Sequence, residues 1–115
     1  MRGTMTVIEP GSVSVTQLTA PPDLEALQKA VGGWIECVPW FNWFIELESE
    51  SWVPCLALCN EEGKLEGLPY NEVATMAWAA AIMHGQKSGR LSGFSDRLVG
   101  NVVVLTGDRE FMESL

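Results

Sequence analysis

Basic side chains are scarce in this chain: seven Lys and Arg stand against fifteen Asp and Glu, a net charge of -8 over 115 residues. Such a chain repels nucleic-acid phosphates and anionic bilayers, which argues against direct nucleic-acid binding and against a membrane partner. Long apolar runs are missing too, and Met1-Arg2-Gly3-Thr4-Met5 lacks the apolar stretch of a signal peptide, so a cytoplasmic location is expected. Cysteine is sparse and unpaired in pattern. Cys37, Cys55 and Cys59 form no Cys-x-x-Cys motif, which gives no sign of a disulfide framework or a zinc knuckle. On one strand Cys55 and Cys59 would stand about 13 Å apart, beyond disulfide reach, so the cysteines read as small buried hydrophobes. A single histidine, His84, leaves little for a transition-metal site, and neither a metal nor a cofactor is expected.

What is present describes a folded chain. Hydrophobic residues make up 47% and charged residues 19%, and the length suits one domain over 1–115, with its core at about 5–106. Met5 to Ile8 and Val13 to Leu18 are β-prone runs around the turn Glu9-Pro10-Gly11-Ser12, a hairpin or edge ribbon. Leu24, Leu27 and Val31 fall at helical spacing, with Pro22 suited to the first turn and Gly32 to the left-handed stop. Trp34 to Val38, Trp43 to Glu48 and Trp52 to Cys59 read as sequential antiparallel strands. On the second, Trp43, Ile45 and Leu47 share the buried face, opposite Glu46 and Glu48. Pro54 puts the third at an edge or makes it start late.

Asn60 to Gly63 is a turn, and Lys64 to Leu68 offers a short further strand. Asn71 is placed to cap an alanine-rich helix that ends near Gly85. The stretch 85–97, rich in glycine and serine, reads as a flexible loop, and Leu98 to Leu105 as a central strand apolar on both faces. Arg109 to Leu115 forms either a turn of helix or a frayed end. The fold class expected is α+β, an antiparallel sheet of about five strands with two packed helices.

The residues offer little catalytic chemistry. His84 sits where a cation complements a helix C-terminus, and no Gly-x-Ser-x-Gly elbow supplies a nucleophile. Glu46 and Glu48 would lie about 6.6 Å apart as next-but-one neighbours, a spacing that any solvated strand face produces. No catalytic residue is assigned and a non-enzymatic protein is expected. Charge is the stronger signal. Residues 36–72 hold eight glutamates and only Lys64 against them, which concentrates nearly all the negative charge in the middle of the chain. Glu46, Glu48 and Glu50, interleaved with Phe44 and flanked by Trp40 and Phe41, form a candidate face for a partner protein with a basic surface. Lys87, Arg90 and Arg97 oppose only Asp96 in 85–97, and with Trp78 or Trp40 as a stacking surface they form an alternative site for a small anionic ligand such as a signalling nucleotide. Homo-oligomerisation stays open.

Three phrases occur in order: Val31-Gly32-Gly33-Trp34-Ile35-Glu36, Asn60-Glu61-Glu62-Gly63-Lys64, and Val99-Gly100-Asn101. Together they resemble a small domain of unknown function met in phages, prophages and conjugative plasmids, over roughly residues 24 to 105. The resemblance implies a mobile-element setting; joined to the acidic, aromatic-bearing face, it leads to the expectation of an accessory protein in the host cell cytosol that binds and inhibits a host defence protein. It carries no catalytic residues across. Two departures stand out: the aromatic run Trp40 to Trp43, and the segment from Ala77 to Arg97, which looks like an insertion.

Overall fold

The computed structural model describes residues 1–46, 49–85 and 96–115. Two β-prone runs around Pro10-Gly11 become β1 (Gly3–Glu9) and β2 (Ser12–Leu18), paired residue for residue from Gly3↔Leu18 to Glu9↔Ser12. The first helix, α1 (Leu24–Val31), starts where the Asp23 carboxylate accepts the Ala26 N–H at 2.8 Å. Asp23 is thus the cap and Pro22 precedes it, outside the first turn. Gly32 ends α1 at φ +79°, a conformation that costs glycine nothing.

Next come β3 (Ile35–Cys37), β4 (Trp43–Glu46), β5 (Ser51–Pro54), β6 (Leu56–Asn60), α2 (Glu72–Gly85), β7 (Val102–Gly107) and α3 (Arg109–Glu113). Five strands form one antiparallel sheet in the order β2-β1-β7-β6-β3, and β4 and β5 form a separate two-stranded ribbon. This is an α+β fold, with the last strand at the centre of the sheet.

Strand β7 holds both faces together. Val102 and Val104 project into a cluster with Ile8, Ala57, Trp78 and Ile82, while Val103 and Leu105 project into one with Val31, Leu58 and Phe111. All four β7 side chains are fully buried, so alternation sends apolar groups to both sides, as a doubly covered strand requires. The helix α2 and the ribbon cover the first face, and α1 and α3 the second. At the start of β1 a Cβ on Gly3 would lie 2.3 Å from the Phe111 ring, so only glycine lets α3 close on the sheet.

Several expectations need correction. Sequential pairing fails because β3 pairs with β6, while β4 and β5 leave the main sheet. The run from Trp52 to Cys59 splits at Cys55, whose N–H donates to the Asn42 carbonyl at 3.0 Å and whose thiol donates to the Phe41 carbonyl at 3.4 Å. The ribbon has no single buried face: Trp43 and Phe44 are both half-buried against the core and Ile45 is 40% exposed. Lys64 to Leu68 forms turns, closed by Glu66 N–H to Glu62 and Leu68 N–H to Gly63, instead of a strand. Of the two readings of 109–115 the helical turn is the one that forms, as α3, a third helix beside the two expected, because Asp108 caps it, accepting the Phe111 N–H at 2.9 Å. Cys37 is exposed, unlike its half-buried companions Cys55 and Cys59.

Candidate functional site

The residues between β3 and β4 decide what the surface presents. Val38 still donates its N–H to the Ala57 carbonyl, but Trp40 then turns the chain at φ +60°, a left-handed conformation that is strained for a bulky side chain. The turn drives Phe41 into the core, 1% exposed, and swings Trp40 outward, 69% exposed. Phe41 is therefore a core residue and not the binding anchor expected of it.

Beyond the turn, the ribbon packs against the C-terminal end of α2. The His84 ring stacks on Trp52 with centroids 4.3 Å apart and a tilt of 9°, and meets Trp43 edge-on at 5.1 Å. Trp43 pairs across the ribbon with Pro54, and Ile45 with Trp52, so both tryptophans lie on one ribbon face. His84 thus locks a helix end to a hairpin, a role that its place in the sequence, read only against the helix dipole, did not disclose. A hollow of about 80 Å³ lies among Trp40, Asn42, Trp43, Ala81, Ile82 and Gly85. Phe44 packs inward, 6.5 Å from the Phe41 ring.

At the tip, Glu46 accepts the Ser49 hydroxyl at 3.1 Å, and Glu50 turns the chain at φ +55°. Both carboxylates are exposed, and Glu48 lies outside the described residues. The hairpin therefore carries an exposed indole at its base and two solvated carboxylates at its end.

A second concavity, about 210 Å³, opens at the β3–β6 end of the sheet, and Cys59, Glu36, Glu61, Lys64, Asp96 and Arg97 are among the residues that line it. Lys64 Nζ meets Asp96 Oδ1 at 2.5 Å, and the same oxygen accepts the Arg97 N–H at 2.7 Å. The Lys64 hydrogen bond, with that of Arg97, holds the Asp96 carboxyl below its ordinary 3.8. Burial pushes the Cys59 thiol up to about 11, helped by Glu36, and burial alone pushes Cys55 to about 12. Neither thiol is a ready nucleophile.

Of the residues expected to hold an anion, Arg97 reaches this cleft, while Lys87 and Arg90 lie outside the described residues. Trp78 offers no stacking surface: it is 3% exposed and donates its indole N–H to the Pro39 carbonyl at 2.8 Å. The glutamates of 36–72 divide among separate places. Glu36 and Glu61 border the cleft, Glu46 and Glu50 stand on the hairpin, and Glu72 opens α2, roughly 18 Å along the helix from His84.

A family model described as a domain of unknown function, DUF3846, matches residues 1–115. The chain belongs to the DUF3846 family. Neither a curated protein nor a solved structure matches it. Membership in DUF3846 covers the full length and assigns no chemistry to either concavity. Among the described residues of this DUF3846 chain, no three His, Cys, Asp or Glu side chains gather closely enough to hold a metal ion, and no helix is long and apolar enough to cross a membrane.

Proposed function

We propose that this chain is a non-enzymatic binding protein that seats its β4–β5 hairpin on a basic surface of a partner protein. Trp40 is the apolar anchor, and Glu46 and Glu50 supply the charge that orients it. The observation that carries this reading is Trp40 itself, a large indole 69% exposed and held at φ +60°. A bulky residue keeps such a backbone only where surrounding structure over-determines it, and strained positions of this kind collect at sites that bind. Tryptophan is among the residues most enriched at interface hot spots. The net charge of -8 adds long-range attraction toward a basic groove. The resemblance to phage and plasmid domains makes a host defence protein the expected partner, inhibited when its groove is filled.

The cleft supports the anion-sequestering alternative less well. Its described charged residues are Glu36, Glu61 and Asp96 against Lys64 and Arg97, a balance of minus one, and Lys64 is already committed to Asp96. Such a site gives an anion no net attraction.

Two variants test the reading against a partner captured from host lysate, identified and purified. Trp40→Gly removes the indole and relieves the left-handed strain, so it should fold at least as stably as the parent and bind at least tenfold more weakly, about 1.4 kcal/mol. Glu46→Gln with Glu50→Gln should slow association and flatten its salt dependence. A partner bound with parental affinity by both variants refutes the proposal.

A further inference from the structure

The two edges of the main sheet are treated differently. Edge strand β3 is three residues long, carries Glu36 and runs into Pro39, and each of these features discourages pairing with another chain. Edge strand β2 has none of them. It is seven residues, Ser12-Val13-Ser14-Val15-Thr16-Gln17-Leu18, with no charge, no proline and an unbroken one-to-one register against β1, hence no bulge. Every β2 residue is exposed except Leu18, which is half-buried, and Val13 and Val15 are 52% and 58% exposed on the face they share with Ile8 and Thr6. An unbulged, neutral, apolar-bearing edge is a template for strand addition.

We infer that two copies of this chain pair antiparallel through β2, joining two five-stranded sheets into one that runs through the dimer. The strand suits a second copy of itself. A two-fold axis at Val15 sets Val15 against Val15, Ser14 against Thr16, Val13 against Gln17 and Ser12 against Leu18, so no charge opposes a like charge along the seam. The nearest carboxylate, Glu9, lies opposite Ser12 at one end of the strand, so the two-fold sends the two copies of Glu9 to opposite ends, about 20 Å apart. The contact is self-complementary and uses up the open edge of each copy, while the blunted β3 edges end the array. Assembly therefore closes at two instead of growing into a fibre. The pairing leaves the β4–β5 hairpin free and is independent of its role.

Sedimentation velocity across the micromolar to millimolar range, with the full chain and no partner, tests this. The parent should sediment as a concentration-dependent dimer. Val15→Lys, which sets two lysines face to face at an exposed position, should raise the dissociation constant about tenfold or more. Gln17→Lys gives a second charged seam should the first variant fail to fold. Met76→Glu, on the exposed α2 surface formed with Val73 and Met83, should leave the dimer unchanged. Amide exchange of the parent should show alternate β2 amides gaining protection as concentration rises. A parent that stays monomeric throughout overturns the inference, as does a dimer indifferent to both lysine variants or one dissolved by Met76→Glu.

Discussion

Asn71 is a short polar side chain with no exposed surface, and its replacement by alanine should be among the most damaging single changes in the molecule. Its Oδ1 accepts the Ala74 N–H at 3.0 Å, capping α2, and its Nδ2 donates to the carbonyls of Ile8 and Gly100, each at 2.8 Å. One amide therefore fastens the start of α2 to the end of β1 and to the loop that enters β7. Alanine removes a cap worth about 1 kcal/mol and strands two buried acceptors at about 1 to 2 kcal/mol each, near 4 kcal/mol together. For a chain of this length that loss lowers the melting midpoint by about 15 °C. It would also consume a large share of the 5 to 15 kcal/mol that holds a typical domain together. Urea unfolding of both proteins at pH 7 measures it, with the denaturant slope expected to stay constant. Asn71→Asp separates the contributions. It keeps the cap acceptor but aims a buried carboxylate at two carbonyls, so it should be at least as harmful at pH 7 and recover partly as acid protonates it and restores one donor. A loss under about 1 kcal/mol for the alanine variant, or an aspartate variant as stable as the parent, would show that these bonds do not fasten the elements as argued.

Three further outcomes follow from the same structure. With Cys55 at about 12 and Cys59 at about 11, only exposed Cys37 should react promptly with a thiol reagent at pH 8, one equivalent in native protein and three in urea. Asp108 is held below its ordinary 3.8, first by the Phe111 N–H and also by that of Arg2, and Asp96 is held down by Lys64. Because both folded values lie under the unfolded ones, their contribution is complete above about pH 4 and fades as pH falls, so Asp108→Asn should flatten the acid limb of a urea-midpoint titration. Gly3→Ala forces a Cβ onto the Phe111 ring and should lower the urea midpoint by displacing α3, whereas Gly11→Ala, with nothing within 4 Å, should not.

The elements legible in the sequence are those with local causes. The spacing of Leu24, Leu27 and Val31 marks α1 and Gly32 its stop, Asn71 caps α2, and the unbroken apolar run of β7 announces a strand covered on both sides. The misread elements depend on distant partners. Nothing near Trp34 to Val38 says that β3 will pair with β6 rather than β4, because the choice rests on the backward turn at Trp40 and on the Cys55 bonds to Asn42 and Phe41. The same turn explains why neighbouring aromatics, Trp40 and Phe41, meet opposite fates. At the candidate site, Glu46, Glu50 and Trp40 could be picked out by charge and context. The Trp52–His84–Trp43 stack joins residues up to 41 positions apart, and the Lys64–Asp96 pair spans 32, separations that leave no local signature.

The position of β7 has a consequence for synthesis. Because β7 is the hinge between the β2-β1 pair and the β6-β3 pair, a ribosome must deliver residue 107 before those halves can join in one hydrogen-bonded sheet. Until then the nascent chain holds two separate β fragments, each with an uncompleted apolar side. Its most aggregation-prone interval is therefore the wait before its closing strand emerges, when a holding chaperone would count most.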